Sequence, residues 1–432
     1  MITTDWQEVR LRYVVELNPT IPPEIRRSSE TQVSFLPMEA LGENGSFDAT
    51  ATRRVGDVLT GYSFFENDDI VYAKVTPCFE NGKAAVLDGL VEKVGFGTTE
   101  VTVVRAKDSV DTKFLFYVLI EDRFKQFGKA EMTGAGGLKR VPESFTKNFK
   151  VLLPPLSDQR AIASFLDHET AEIDAFIEDQ KELITLLNER RAATITRAVT
   201  KGLDPSVQLK DSGFDWLGKV PEHWQVSPLK RLGTIRYGIG EPPGYVSEGV
   251  PLIRATNVSE GRITPEKMVL VNPADIPAAR ILWLRKGDII VVRSGALTGD
   301  SAIVRDEYAG AIAGFDMVFR SSASTNADFI QYGLLSSYVK SAQLDIARMR
   351  AAQPHLNAEE LGNSYFAHPT SRSEYEQIVK YLDFETAEID AAIADAKEAI
   401  ELSKERRAAL ISAAVTGKID VRDHIPAELG AA

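Results

Sequence analysis

The residues of this chain that could do chemistry do not form a complete catalytic motif. A base methyltransferase would need an Asn/Asp-Pro-Pro-Tyr/Phe loop and a Gly-rich nucleotide-binding turn. The nearest matches are EPPG at 241–244 and GIG at 238–240, which lack the aromatic residue and the strand-to-helix context. No Walker lysine loop is present, so ATP is not expected to bind. The sequence therefore predicts no catalytic residues.

Metal and nuclease chemistry are disfavoured as well. Asp179–Lys181 and Asp395–Lys397 resemble the end of a nuclease signature, but no Pro-Asp precedes them, and solvated helix charge is the better interpretation. The single cysteine, Cys78, is interpreted as a small buried apolar residue. The histidines show no ligand spacing, so no metal site is predicted; they are His168, His223, His355, His368 and His424.

One segment occurs twice in the chain, and the two copies must position the remaining parts and their candidate functional residues. Residues 167–204 and 383–420 are identical at 24 of 38 positions, at a constant offset of 216. Both copies lack Gly and Pro until their ends and are rich in Ala, Glu, Lys, Arg and Leu. The pattern predicts two long helices, over residues 157–203 and 372–418.

Each predicted helix carries a heptad seam that is mostly apolar but interrupted. Two such similar helices can pack as an antiparallel coiled coil with an approximate internal two-fold axis. The seam positions are Leu166, Thr170, Ile173, Ile177, Gln180, Ile184, Leu187, Arg191, Thr194 and Ala198 in the first copy, and Leu382, Thr386, Ile389, Ile393, Ala396, Ile400, Ser403, Arg407, Leu410 and Ala414 in the second.

Two globular segments, residues 1–156 and 204–371, complete the predicted α+β fold, with 204–223 as a linker and 419–432 as a tail. Short β-rich runs alternate with Gly- and Pro-rich turns and are not separated by regular helices. These runs are Ile70–Tyr72, Val101–Val104, Ile289–Val292 and Met317–Phe319. The expected architecture is two mixed domains separated by the two helices.

Charge and composition limit the class of protein. The net charge of −12 disfavours nucleic-acid binding at first sight, but residues 157–204 and 372–423, which contain the two predicted helices, carry −8 of it. The start of the chain lacks a secretory signal pattern, and no run of about 18 apolar residues occurs. One cysteine fits a reducing compartment. A cytoplasmic protein without a membrane role is predicted.

The chain resembles the specificity subunit of type I restriction-modification systems. The residues that carry the resemblance are PPLSDQRAIASFLDHETAEID at 154–174, the ERRAA runs at 189–193 and 405–409, and DSGFDWLGKVPEHWQV at 211–226. The resemblance implies two target recognition domains, each reading one half of a split DNA sequence, and a coiled coil that docks two modification subunits. It also implies that this chain is not an enzyme and holds no cofactor. S-adenosylmethionine, ATP and Mg²⁺ would act in the modification and restriction subunits. The resemblance also implies that two restriction subunits can join the assembly.

Candidate contacts to double-stranded DNA follow from the chemistry of base and phosphate recognition, in which Arg, Lys, Asn and Gln predominate. The clusters at 134–140 (GAGGLKR) and 348–355 (RMRAAQPH) occupy equivalent places before the two helical segments. The candidates are Arg53, Arg54, Lys74, Lys83, Lys139 and Arg140 in the first domain, and Arg254, Asn257, Arg293, Arg348, Arg350, Gln353 and His355 in the second.

Repeated charges on the helices are candidates for docking partner subunits, with packing between the helices as the open alternative. They are Glu172, Arg190, Arg191, Glu388, Arg406 and Arg407. For the whole protein, the alternative function is a two-headed coiled-coil interaction scaffold with no role on DNA.

Overall fold

The computed structural model describes residues 6–135, 137–348 and 354–421. The chain divides into two compact units, the first formed by Met1–Gln180 with Glu398–Ala432 and the second by Lys181–Lys397. Each unit therefore contains one globular domain and one part of each long helix.

The domain of the first unit is built on two four-stranded sheets. One sheet, called the inner sheet below, is antiparallel throughout and has the spatial order Val15–Leu17, Val101–Ala106, Ile70–Ala73, Ala84–Val86. The other, called the outer sheet, contains one parallel pair and has the order Thr52–Arg54, Gln32–Leu36, Val94–Gly97, Ser63–Glu66. Strand Ile70–Ala73 is buried along its whole length because its residues are all apolar and it lies inside the inner sheet.

The domain of the second unit repeats the topology of the inner sheet, whereas its outer sheet has the parallel pair at one edge instead of in the centre. Its inner sheet is antiparallel, in the order Gly233–Tyr237, Met317–Ser321, Ile289–Val291, Ser301–Ile303. Its outer sheet again has one parallel pair, in the order Tyr245–Val246, Val269–Val271, Val250–Ile253, Ile312–Ala313. The four β-rich runs that the sequence indicated all lie in the inner sheets.

The remaining strands are short antiparallel pairs. They are Gln7–Arg10 with Lys150–Leu153, Thr133–Ala135 with Leu138–Arg140, Leu209–Asp211 with Lys219–Pro221, Gln225–Pro228 with Tyr365–His368, and Val258–Ser259 with Arg262–Ile263.

Short helices cover the sheets. In the first unit these are Leu11–Val14, Pro23–Arg27, Val55–Val58, Thr112–Ile120, Asp122–Ala130 and Glu143–Asn148, with single turns at Met38–Ala40 and Val91–Lys93. In the second unit these are Leu229–Leu232, Ala327–Leu335, Ser337–Val339, Lys340–Leu344, Asp345–Arg348 and Ala358–Gly362, with single turns at Ala255–Asn257, Pro273–Asp275, Ala278–Arg280 and Asp306–Tyr308.

In each domain a buried aspartate lies directly before a strand of the inner sheet and accepts hydrogen bonds from an arginine of the neighbouring strand. Arg105 donates two hydrogen bonds to Asp69, both 2.7 Å long, and Arg320 donates two to Asp288, at 2.7 and 2.6 Å. Each aspartate also accepts a backbone N–H three residues before it, at 2.8 Å. Because Asp69 and Asp288 are each 1% exposed, the arginine provides the compensating charge that a buried carboxylate needs.

Two long helices run through both units, as the sequence predicted. The first long helix is Leu156–Lys201 and the second long helix is Arg372–Val415. Gly202 and Gly417 follow them with φ of 71° and 67°, a left-handed conformation that glycine adopts without strain. Every predicted seam position is buried or half-buried, so the heptad assignment is confirmed. Among the described residues, no helix is both long enough and apolar enough to cross a membrane.

The start of the second long helix encloses a buried histidine. The His368 imidazole lies parallel to the Tyr375 ring, and its Nδ1 is 3.1 Å from the Tyr375 hydroxyl. Its Nε2 is 3.2 Å from the Ser227 hydroxyl on the paired strand. Burial lowers the pKa of His368 because it disfavours the charged imidazolium.

This burial predicts a loss of stability on acidification. The contribution of His368 to the free energy of unfolding is constant while its imidazole is neutral in both the folded and the unfolded state. It should fall as the pH drops below about 6.5, where the unfolded chain takes up the proton first. The decline should stop once the pH passes the lowered pKa of the folded state. Denaturant unfolding of wild type and His368→Gln across this range measures the effect, and an unchanged pH slope in the variant would contradict it.

Candidate nucleic-acid interface

The inner sheet of the first unit directs a basic hairpin to the surface. The strand Ile70–Ala73 continues into Lys74, whose carbonyl accepts the Val141 N–H at 2.8 Å. Val75 then pairs with Arg140, the last residue of the exposed hairpin Thr133–Ala135 with Leu138–Arg140. The predicted cluster at 134–140 is thereby tied to the end of a buried strand; Gly136 lies outside the described residues.

Within this hairpin the two predicted cations differ in their contacts. Arg140 donates two hydrogen bonds to the Glu100 carboxylate, at 2.8 and 2.7 Å. These bonds hold the pKa of Glu100 below its ordinary value and raise that of Arg140. The Lys139 side chain is exposed beside this pair. The guanidinium group of Arg140 is therefore held in place by Glu100, whereas the ammonium group of Lys139 can change its direction more easily.

The second unit has the same arrangement at the equivalent strand end. Leu356 donates its backbone N–H to the Arg293 carbonyl at 2.8 Å, as Val141 does to Lys74. Ser294 pairs with His355, as Val75 does with Arg140. The clusters that the sequence predicted to be equivalent thus meet the inner sheet in the same register. Arg350 and Gln353 lie outside the described residues, as does the Arg348 side chain.

Aromatic rings support the arginine of the second unit. The Arg293 guanidinium lies over Phe315 at 3.5 Å and Tyr237 at 4.8 Å, measured to the ring centroids. Both rings are partly exposed, so the three side chains form a surface on which a base or sugar could stack. Sequence reasoning missed these rings because their proximity depends on the pairing of strands distant in sequence.

The outer sheet of the first unit carries two further candidates. In the first unit, Arg53 is exposed and lies over the Phe35 ring at 3.9 Å, whereas Arg54 is engaged by Glu30 and Asp57. These two arginines lie on an edge strand. Of the pair, Arg53 is the better candidate for a nucleic-acid contact, because Arg54 already has two anionic partners.

Three further candidates have contacts inside their own domain. Lys83 donates to the Met38 carbonyl at 3.3 Å, and Arg254 donates to the Lys267 carbonyl at 2.7 Å. Asn257 is 0% exposed, and its amide donates to the Thr264 and Glu266 carbonyls. The prediction of Asn257 as a base contact does not fit its position, because its side chain holds the loop together and does not reach solvent.

The repeated helix charges separate into two kinds. In the first unit, Arg407 pairs with Asp174 at 3.0 Å and is 8% exposed, while Arg406 lies 3.7 Å from Glu169 and is well exposed.

In the second unit, Arg191 pairs with Asp390, and Arg190 lies 3.4 Å from Glu385. Each of these contacts recurs at the repeat offset. Arg191 and Arg407 are therefore engaged between the helices, which favours the packing alternative for them. Arg190, Arg406, Glu172 and Glu388 remain at the surface.

One cluster of possible metal ligands occurs among the described residues. His168, Glu169 and Glu172 bring ligand atoms within 4.8 Å of one another on the first long helix. His168 lies 3.6 Å from Glu172, and Glu169 already pairs with Arg406. These contacts describe an ion-pair network on a helix surface.

Comparison with known proteins identifies the class of domain. Residues 3–186 match the family model of the type I restriction modification DNA specificity domain. This is the family that the sequence was predicted to resemble, and the match confirms the resemblance.

Individual relatives agree with this assignment. The chain is 38% identical over 161 residues to the type I restriction enzyme EcoAI specificity subunit of Escherichia coli, covering 36% of this chain and 26% of that protein. It is 26% identical over 336 residues to the MjaVIII specificity subunit of Methanocaldococcus jannaschii, covering 76% and 74% of the two chains. The match thus spans about a quarter of the Escherichia coli relative.

Solved structures share the fold over nearly the whole chain. A chain from a study of complex assembly and conformational transition of the type I R-M system has a TM-score of 0.72 at 18% identity, with 97% of this chain and 100% of that chain covered. The HsdS subunit from Thermoanaerobacter tengcongensis has a TM-score of 0.51 at 18% identity, with 97% and 98% covered. The predicted fold, two mixed domains with two long helices, is therefore confirmed.

Proposed function

We propose that this chain is the non-catalytic DNA specificity subunit of a type I restriction-modification system. The observation that carries the proposal is the repeated site: in both domains a cation at the end of a buried strand meets a second basic segment in the same register. The family match of residues 3–186 supports DNA as the ligand of these sites. The scaffold function without DNA lacks a comparable supporting observation.

The proposal assigns one half of a bipartite target to each domain. Lys74, Lys139 and Arg140 would contact the first half, and Arg293 and His355 the second. Of these, Arg293 would reach a guanine edge, and Arg140, whose guanidinium is held by Glu100, would contact phosphate like the lysines. The proposal includes a spacer of fixed length, with half-sites about one helical turn apart.

Changing the spacer tests the proposal directly. The subunit, assembled with its modification partner, is titrated with duplexes whose spacer is altered by one or two base pairs around a target taken from the methylated-adenine pattern of the genome. We expect affinity to fall at least tenfold toward the non-specific level. Unchanged affinity on every spacer would contradict the proposal, as would binding insensitive to salt.

A single exposed lysine should contribute a measurable part of this affinity. Lys139→Gln removes one phosphate contact, so we expect weaker binding on all sequences and a salt slope smaller by about one. Lys113→Gln, at an exposed lysine that pairs with Asp167, is the matched control. Equal effects of the two substitutions would argue against the hairpin as the interface.

Partners and cofactors follow from the same proposal. The exposed charges Arg190, Glu388, Arg406 and Glu172 occur at equivalent positions of the two repeats, which supports docking of two modification subunits on equivalent surfaces. S-adenosylmethionine, ATP and Mg²⁺ would be bound by modification and restriction subunits. Incubating the purified chain alone with the methyl donor, DNA and Mg²⁺ tests this, and methyl transfer or cleavage would contradict it.

A further inference from the structure

A groove on the first unit is open, whereas the equivalent face of the second unit is covered. The groove has a volume of about 560 Å³ and lies between the helices Asp122–Ala130 and Glu143–Asn148 and the strand that begins at Lys150. Three aromatic side chains line it, those of Phe127, Phe145 and Phe149. The Phe127 ring is 56% exposed, so the described part of the chain leaves it uncovered.

The helix on one side of the groove shows which face of the second unit corresponds to it. Each unit has a helix of nine residues, Thr112–Ile120 or Ala327–Leu335, and one further residue separates it from the next helix. Arg123 is the second residue of that next helix in the first unit, and Tyr338 is the second residue in the second unit. Arg123, which lines the groove, therefore corresponds to Tyr338.

The strand on the other side of the groove gives a second pair of equivalent residues. Lys150 opposes Arg10 at one end of its strand pair, and Tyr365 opposes Pro228 at the same end of the equivalent pair. Lys150, which also lines the groove, therefore corresponds to Tyr365. The groove and the face that carries Tyr338 and Tyr365 thus occupy the same place in the two domains.

A hairpin loop, residues 212–218, covers both tyrosines of the second unit. The Trp216 ring is stacked on Tyr338, with 6.2 Å between the ring centroids and 11° between the planes. The Phe214 ring lies 4.5 Å from the ring of Tyr365, measured between centroids. This face of the domain therefore accepts a loop that presents two aromatic side chains.

The groove of the first unit adds a cation to this apolar surface. Lys150 is neutralised by Glu8 at 2.6 Å. Arg123 donates to the Lys150 carbonyl at 3.0 Å and lies over the Phe149 ring at 5.4 Å, and no carboxylate of the described residues pairs with it. An acidic side chain of a partner would pair with this guanidinium while a neighbouring aromatic ring packs on Phe127.

We infer that this groove docks a partner protein through a loop that presents an aromatic side chain beside a carboxylate. The loop on the second unit has this composition, since Asp215 separates Phe214 and Trp216. That loop is already packed on its own unit and is not free in a second copy of the chain, so a different protein is the expected occupant. The inference is independent of the proposed DNA function, because no residue assigned to DNA lines the groove.

Titration of the full chain with a labelled cyclic peptide that contains residues 209–221 tests the inference by fluorescence anisotropy. Cyclisation holds the two strands together and so reduces the ordering cost of binding. We expect saturable one-to-one binding. Phe127→Ser should weaken it about tenfold or more, because it removes the exposed ring of the groove, and so should replacing Phe214 and Trp216 of the peptide by alanine. Arg123→Gln should weaken it severalfold and reduce its salt dependence.

Phe384→Ser is the matched control, because it makes the same change at a phenylalanine that is 63% exposed on the second long helix, outside the groove. It should leave the affinity unchanged. The inference is overturned if the peptide does not bind saturably at millimolar concentration, or if Phe127→Ser and Phe384→Ser weaken binding equally.

Two further outcomes would assign the groove to another occupant and overturn the inference. The first is a dimer of the chain, detected by sedimentation, that Phe127→Ser dissociates, because a second copy would then fill the groove. The second is peptide binding that occurs only after residues 422–432 have been removed, because the chain's own tail would then compete for the groove.

Discussion

Arg320→Met is expected to lower the free energy of unfolding of the second unit by about 3–5 kcal/mol, because it leaves the buried Asp288 carboxylate without its compensating charge. The methionine retains most of the apolar stem, so the loss comes mainly from the unpaired charge. Urea unfolding followed by tryptophan fluorescence measures it. Three of the four tryptophans, Trp216, Trp224 and Trp283, lie in the second unit.

Lys286→Met is the matched control for this experiment. It also replaces a long cationic side chain by methionine, and it removes the Lys286–Asp306 pair, whose side chains are 64% and 80% exposed. A loss below about 0.5 kcal/mol is expected there. Adding Asp288→Leu to Arg320→Met should recover part of the stability, because it removes the orphaned carboxylate. Equal losses for Arg320→Met and Lys286→Met would show that the buried pair has no special role.

Arg407→Ala should lower the free energy of unfolding of the first unit by about 2 kcal/mol, whereas Arg406→Ala should change it by less than about 0.5 kcal/mol. The two arginines are neighbours in sequence and both face acids of the first long helix. Only Arg407 is nearly buried, at 8% exposed. Urea unfolding followed by helical circular dichroism compares the two variants.

The same pair of variants separates stability from partner docking. Arg406→Ala should keep the fold and weaken assembly with the modification subunit, as measured by size-exclusion chromatography of the mixed proteins. If Arg406→Ala destabilised the chain as much as Arg407→Ala, exposure would not distinguish the two roles.

The sequence predicted the elements whose signals are local or repeated. The long helices followed from a duplicated segment free of Gly and Pro, and the inner strands from short β-rich runs. The heptad phase placed Arg191 and Arg407 in the seam and left Arg190 and Arg406 outside it, which matches their burial. Applied to the docking candidates, the same phase would have removed Arg191 and Arg407 from that set.

The rest of the candidate site depends on contacts between residues far apart in sequence. Asn257 has the residue type of a base reader, but its burial follows from a loop that closes onto Thr264 and Glu266. The stacking of Arg293 on Phe315 and Tyr237 requires the pairing of two strands that are about 80 residues apart in the chain. No local pattern encodes either contact.

Because each unit draws one part of its helix pair from each repeat, neither repeat alone supplies a complete unit. If the chain were split after Gly202, each fragment would keep one long helix with its whole seam and lack the other helix, and the two fragments would be expected to reassociate when mixed. A single repeat expressed by itself could complete its seam only by pairing with another copy, so a half-length ancestor would have worked as a homodimer.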